Sequence, residues 1–369
     1  MDFEFSDEQE QLRDSVRRYL QARAPITPYV RDHYGAGTGA DDVWKGLADL
    51  GAVGLLADAE HGGAGMGIVD AAVVLEECGR AVYPGPYLAS AIGTISAIML
   101  AGTEREHAGL LAGLTSGDTI GTVACFEPGA RTDWRNPTTR ARSVAEAALV
   151  TGAKAHVLAA TDAQLFVVSA RDEAGRLGLF AVQQGGGVRV EPTPGQDGSL
   201  VTGTVTFDDA RAWRLGSADA ETALEVILDR MRAALVVDGV GAAQRALELA
   251  VEYAKERIAF ERPIGSFQAV QHMCADMLRS LELARAAGYY ACWTLDSADR
   301  SEARRAVTMA AAFASEELPK VGGTAIQVFG GIGFTWEHDI HLFYKRLLSV
   351  GALLGTADDH LADLADLVL

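Results

Sequence analysis

The middle of this 369-residue chain differs from both flanks in the types and spacing of its residues, and this contrast restricts the fold more than any other feature. Residues 119–209 contain short segments rich in Val, Thr and Phe that are bounded by Gly, Pro or Asp, which is typical of strands. The flanks instead carry apolar residues at helical spacing, and the first helix begins with a capping box between Ser6 and Gln9. The pattern predicts three domains: N-terminal helices over 1–118, an antiparallel β-domain over 119–214 and a C-terminal helical bundle over 215–369.

The C-terminal part is predicted to contain four long helices. Their approximate ranges are 219–257, 266–297, 302–328 and 337–367. Long amphipathic helices of this kind pack as antiparallel bundles, and an apolar face that the bundle leaves uncovered favours oligomerisation.

Composition excludes several classes of function. Fifty acidic against 32 basic side chains give a net charge of −18, which repels phosphate backbones and anionic membranes, so nucleic-acid binding is not expected. The uncharged stretch 81–103 is interrupted by prolines and leaves an apolar helix of only ~15 residues, whereas a membrane span needs ~20. The four cysteines form no C-x-x-C pair, which suits a reducing compartment. We therefore expect a soluble, cytoplasmic protein.

Two motifs are weak matches to known sites. GVGAAQ at 239–244 fits the dinucleotide fingerprint G-x-G-x-x-G only in part, and its flanks predict one continuous helix rather than a strand and a turn. We interpret its glycines as a place where two helices approach closely. The eight histidines include no H-x-x-x-H pair, and no metal site is predicted.

Three other segments are more specific when they are taken together. They are FEPGARTD (126–133), RIAFERPIGSFQAVQH (257–272) and IQVFGGIGFTWEHD (326–339). With the opening FEFSDEQEQLRDSVRRYL and the helix–strand–helix order, they make the whole chain resemble the acyl-CoA dehydrogenase family. The resemblance implies a β-barrel-like middle domain and a C-terminal four-helix bundle. It also implies FAD as cofactor, an acyl-CoA substrate dehydrogenated at its α and β carbons, and an electron-transfer flavoprotein as acceptor.

The family binds the ADP half of FAD with residues of a neighbouring subunit. These residues are the Arg and Phe of an R-x-x-F motif, a Gln shortly after it, and a Q-x-x-G-G stretch. By resemblance, the positions here are Arg257, Phe260, Gln268, Gln327, Gly330 and Gly331. Glu261 is the one departure, because the family usually has Gly there.

The positions that the family uses around the flavin ring are changed. Phe126 replaces a Thr or Ser ahead of the E-P-G motif. In the next β-segment His156 replaces a Trp, and Leu158 replaces a hydroxyl-bearing residue. These substitutions remove hydrogen-bonding groups from the flavin side of the predicted site.

The catalytic base is also missing from its usual places. The commonest base is the Glu of a Y-E-G-T stretch, and the matching position here is Leu354. A minority of the family places the base just before an Arg on the first C-terminal helix, where this chain has Met231. Neither position holds a carboxylate.

Four carboxylates lie near these positions in sequence. Asp229 precedes Met231 by two residues, which turns it ~200° around the helix. The other three are Glu225, Asp358 and Asp359. Each is more simply interpreted as a solvated helix carboxylate than as a displaced base.

The changed positions cluster at the flavin, whereas the ADP-binding positions are retained. In this pattern the chain resembles the base-lacking subunits of heterotetrameric actinobacterial acyl-CoA dehydrogenases. Those complexes act on bulky CoA thioesters such as steroid side chains. The leading hypothesis is therefore a non-base subunit of a heteromeric enzyme. One alternative is a self-sufficient homotetrameric dehydrogenase with a displaced base, and another is a binding homologue without redox activity.

Overall fold

The computed structural model describes residues 5–145, 147–216 and 220–369. They form two compact units. The first contains Met1–Arg31, Ala72–Tyr83 and Arg232–Leu369, and the second contains Asp32–Ala71 and Pro84–Met231. The first unit therefore combines helices from both ends of the sequence, and the second holds the large sheet.

The N-terminal part is helical, as predicted. Ser6 and Gln9 form the expected capping box, in which the Gln9 backbone N–H donates to Ser6 Oγ at 3.2 Å and the Ser6 N–H donates to Gln9 Oε1 at 3.1 Å. The apolar helix predicted within the uncharged stretch 81–103 is buried over most of its length. The α-helices are α1 Asp7–Arg23, α2 Arg31–His33, α3 Asp42–Asp49, α4 Ile68–Arg80, α5 Ile95–Ala101 and α6 Glu104–Thr115.

Seven strands form the middle domain. They are β1 Gly121–Ala124, β2 Arg140–Val144, β3 Ala147–Leu158, β4 Leu165–Arg171, β5 Leu177–Gln183, β6 Val188–Thr193 and β7 Thr202–Leu215. The strand order β4-β2-β3-β7-β5 returns to β4, so the sheet closes on itself, while β1 and β6 pair outside this ring. The β-barrel-like prediction is confirmed. Apolar side chains fill its core, among them Val150, Phe166, Val182, Val205 and Phe207.

The prediction of antiparallel strands is confirmed for most pairs, but β4 runs parallel to β1 and, at Arg140 opposite Arg171, to β2. β1 runs parallel to β4, from Gly121 opposite Leu165 to Ala124 opposite Val168. A hairpin turn forces antiparallel neighbours, but the chain between β1 and β4 is long and includes β2 and β3, so it can return in the same direction.

The C-terminal part is helical, with its last predicted helix divided in two. The helices are α7 Glu221–Glu256, α8 Gln268–Ser297, α9 Arg300–Phe329, α10 Ile340–Val350 and α11 Ala357–Val368. The predicted helix over 337–367 breaks between α10 and α11 because Gly355 adopts a φ of +134°, which a helix cannot contain. Thr356 then caps α11 by accepting from the Asp359 N–H.

The interpretation of the GVGAAQ glycines is confirmed, since they lie inside α7 without a preceding strand. A Cβ added to Gly241 would lie 1.9 Å from the Glu76 carbonyl oxygen, and one added to Gly79 would lie 1.9 Å from that of Asp238. Only glycine allows α4 and α7 to approach so closely.

Among the residues that the structure describes, none of the helices has both the length and the apolar character of a membrane span.

Candidate functional site

The R-x-x-F motif lies on a short hairpin that joins α7 to α8. Its strands are β8 Ile258–Ala259 and β9 Arg262–Pro263, and Phe260 and Glu261 form the two-residue loop. Both loop residues have positive φ, +52° and +63°, as a type I′ turn requires. Neither is Gly or Asn, so this turn carries backbone strain.

The strained loop presents its aromatic side chain to solvent. Phe260 is 88% exposed, and its ring meets the Phe267 ring edge-on with the centroids 6.0 Å apart. Arg257 and Gln268 are also exposed, at the end of α7 and at the first residue of α8. The Arg257 carbonyl accepts from the Ile264 N–H at 2.8 Å, which closes the base of the loop.

The Q-x-x-G-G stretch forms the end of α9. Gln327 is exposed, and Gly330 ends the helix with a φ of +65°. A Cβ added to Gly330 or Gly331 would meet nothing within 4 Å, so the backbone here borders open space.

Packing brings the two segments to the same end of the first unit. Tyr253, in the last turn of α7, stacks on Phe329, the last residue of α9, with the ring centroids 4.4 Å apart. The six predicted ADP-binding positions therefore belong to one end of the helices α7, α8 and α9. Sequence reasoning missed the exposed apolar side chains at this end, which are Ile258 (56%), Phe334 (74%) and Trp336 (59%).

The changed flavin-side positions are held at the edge of the barrel. Phe126 and Leu158 are buried, and the Phe126 carbonyl accepts from the Ala155 N–H at 2.9 Å. His156 is exposed with a φ of +54°, where an extra residue in β3 breaks its register with β7. The bulge explains how His156 can be exposed while Leu158, two residues later, is buried.

A buried ion pair anchors the E-P-G loop to β3. Lys154 Nζ lies 2.9 Å from Glu127 Oε1, and their side chains are 0% and 6% exposed. Glu127 also accepts hydrogen bonds from the backbone and hydroxyl groups of Thr138 and Thr139. Burial raises the pKa of Glu127, but these hydrogen bonds and the Lys154 ammonium outweigh it and bring the pKa to about 2. The sequence did not predict this pair, although Glu127 lies in FEPGARTD and Lys154 lies two residues before His156 in the next β-segment.

The two usual base positions hold buried apolar side chains. Met231 and Leu354 are 3% and 4% exposed. The Leu354 carbonyl accepts from Arg232 Nε at 3.2 Å, which fixes the backbone at this position. Close by, the His360 ring lies where a side chain on Gly355 would be, and burial together with Arg232 lowers the His360 pKa to about 4.

Three of the four alternative carboxylates have structural roles or lie in solvent. Glu225 pairs with Arg135 at 2.9 Å, Asp359 accepts from Thr356 in the α11 cap, and Asp358 is exposed. Asp229 differs from the others because it is only 4% exposed.

Comparison with known proteins gives a consistent result over the whole chain. The N-terminal, middle and C-terminal domains of acyl-CoA dehydrogenases match residues 6–118, 122–210 and 221–369. The acyl-CoA dehydrogenase FadE34 of Mycobacterium tuberculosis is 33% identical over 95% of this chain, which spans about half (46%) of FadE34. The acyl-CoA dehydrogenase IpdE2 of Mycolicibacterium smegmatis is 32% identical over 96% of this chain and 97% of its own.

Solved structures agree with these relatives. A variant of the Tcur3481-Tcur3483 steroid ACAD superimposes with a TM-score of 0.89 at 31% identity and covers 98% of both chains. The glutaryl-coenzyme A dehydrogenase glutaryl-CoA complex superimposes with a TM-score of 0.91 at 25% identity, covering 99% of this chain and 96% of that one.

Proposed function

The chain belongs to the acyl-CoA dehydrogenase family of FAD-dependent oxidoreductases, and we propose that it is the subunit without a catalytic base in a heteromeric member of that family. In this role it completes the FAD site of a partner chain that carries the base. The observation that carries the proposal is the contrast between an exposed set of polar ADP-binding candidates and buried apolar side chains at both base positions.

The missing base is the first support. Abstraction of a proton from the α-carbon of a thioester needs a basic group within hydrogen-bonding distance of it. Leu354 and Met231 have no proton acceptor, and both are buried. Dehydrogenation by this chain alone therefore requires a base from elsewhere.

The second support is the chemistry of the α7–α9 end. The Arg257 guanidinium suits a pyrophosphate because its planar donors can contact two oxygens at once. The amides of Gln268 and Gln327 supply neutral donors and acceptors, and the open backbone at Gly330 and Gly331 lets a nucleotide approach closely. These residues fit the ADP half of FAD, and FAD, when bound, supplies the hydride acceptor of the reaction.

The relatives support a partner of the same family. The steroid ACAD that superimposes at 31% identity is named for two proteins, Tcur3481 and Tcur3483. We propose a heterotetramer with a base-carrying acyl-CoA dehydrogenase chain, an acyl-CoA substrate, an electron-transfer flavoprotein as acceptor and a cytoplasmic location.

Coexpression with candidate partner chains tests the proposal. Native mass spectrometry and flavin absorbance should give one FAD per pair of unlike chains. Arg257→Ala should reduce the FAD content of the complex at least tenfold, while Arg279→Ala, which removes an exposed arginine of α8, should leave it unchanged. One FAD per chain and acyl-CoA turnover by this chain alone would overturn the proposal.

A self-sufficient enzyme with a displaced base remains the second candidate, and the burial of Asp229 favours it. A general base has to be held inside the site rather than in solvent, and Asp229 is the buried one of the four carboxylates. Under this reading the chain alone turns over acyl-CoA, and Asp229→Asn lowers kcat by orders of magnitude while the exposed-site variant Asp358→Asn does not. Equal activity of the two variants would exclude Asp229.

A further inference from the structure

Two histidines and an aspartate of the second unit lie together although their positions in the sequence do not suggest it. Asp58 and His61 belong to the loop that follows α3, and His107 belongs to α6. One potential ligand atom from each residue lies within 4.8 Å of the other two. The His61 and His107 rings are nearly perpendicular, with their centroids 5.7 Å apart.

His107 offers an unused lone pair in this cluster. It is 7% exposed, and its Nε2 lies 3.0 Å from the Ile98 carbonyl oxygen. Because a carbonyl oxygen only accepts, Nε2 carries the proton, and Nδ1 of the neutral ring keeps its lone pair. Nδ1 is buried and has no hydrogen-bond partner among the described residues.

This arrangement matches the way proteins prepare histidine as a metal ligand. A ligating imidazole usually donates its other N–H to a carbonyl or carboxylate, which orients the ring and selects the tautomer. The Ile98 carbonyl does this for His107. Leaving a buried ring nitrogen unpaired is otherwise unfavourable.

The second histidine is oriented by a carboxylate. His61 Nδ1 lies 2.5 Å from Asp58 Oδ1, which also accepts from the His61 backbone N–H at 3.2 Å. The His61 carbonyl accepts from Thr115 Oγ1 of α6 at 3.3 Å. The loop is thus already positioned against the helix that carries His107.

We propose that Asp58, His61 and His107 form a binding site for a divalent transition-metal cation, with Zn²⁺ as the best match. Two imidazoles and a carboxylate are a ligand set that zinc accepts, whereas Mg²⁺ and Ca²⁺ prefer oxygen ligands alone. Tetrahedral ligands at ~2.1 Å from a metal stand ~3.4 Å apart. The three atoms therefore need to close by no more than ~1.4 Å, which small side-chain rotations provide.

The bound cation would fasten the loop over residues 58–67 to α6. The chain carries a net charge of −18, which raises the concentration of cations around it. The three residues belong to the second unit, whereas all of the proposed FAD-binding residues belong to the first.

Metal titration of the 369-residue chain tests this site. After treatment with EDTA and dialysis, isothermal titration with ZnCl₂ should show one site per chain, and CoCl₂ should produce the visible bands of tetrahedral Co²⁺. His61→Gln and His107→Gln should each weaken binding at least tenfold. His272→Gln, at an exposed histidine of α8, should not change it.

Thermal unfolding provides a second readout. Zn²⁺ should raise the Tm of the unmodified chain and of His272→Gln but not that of His61→Gln. Because His61 is less buried than His107, this variant remains informative even if His107→Gln fails to fold. Equal zinc affinity of His61→Gln and the unmodified chain, or no binding by the unmodified chain, would overturn the proposal.

Discussion

Replacing Lys154 with Met should destabilise the barrel strongly without leaving a large cavity, because the two side chains are similar in length. The ammonium of Lys154 is fully buried and faces the Glu127 carboxylate at 2.9 Å. Its loss leaves a buried negative charge without its counter-charge. Removal of one partner of such a pair typically costs about 3–5 kcal/mol.

The remaining contacts of Glu127 place the expected value at the lower end of this range. Four hydrogen bonds from Thr138 and Thr139 continue to stabilise the carboxylate after the substitution. We therefore expect a loss of ~3 kcal/mol. With a urea m-value of about 3 kcal/mol/M, the unfolding midpoint would fall by ~1 M.

Urea unfolding followed by tryptophan fluorescence measures this shift. The double variant Lys154→Met/Glu127→Gln removes both charges and should be more stable than Lys154→Met alone, because no uncompensated charge stays buried. Lys320→Met is the matched control: this lysine is 56% exposed and pairs with Glu316 and Glu317 on α9, so its loss should cost less than ~1 kcal/mol. Equal midpoints for Lys154→Met and Lys320→Met would show that the buried ion pair does not stabilise the barrel.

Four further outcomes are expected. The Glu127 pKa is lowered from 4.5 to about 2, so its stabilising effect is present above pH 4.5 and is lost as the pH falls towards 2. The free energy of unfolding should therefore decrease more steeply over this pH range for the unmodified chain than for Glu127→Gln. Glu261→Gly should raise stability by ~0.5–1 kcal/mol in thermal unfolding, because glycine adopts the φ of +63° without strain, and an unchanged or lower Tm would contradict this. Gly79→Ala should cost more than ~2 kcal/mol, since the added Cβ would lie 1.9 Å from the Asp238 carbonyl oxygen. Gly109→Ala, whose Cβ meets nothing within 4 Å in α6, should instead stabilise the helix by ~0.5–1 kcal/mol.

The order of helices and strands could be predicted from the sequence because it depends on local periodicity. The capping box at Ser6 and the continuous helix through Gly239 and Gly241 followed from neighbouring residues alone. The loss of the usual bases was equally visible, since it is a matter of which residue stands at Leu354 and Met231. The break before α11 was missed because a single glycine with positive φ stands between two helices of about three turns each, whose periodicity dominates the pattern.

The succession of elements, the family and the residue types at each motif position therefore follow from the sequence alone. The tertiary structure decided which distant residues meet: Lys154 with Glu127 across the barrel, and His107 with Asp58 and His61 across a loop and a helix. The physical reason is that periodicity and motif spacing report contacts within one helix or strand. Contacts between elements depend on strand register and helix packing, which arise only when the whole chain buries its apolar surface.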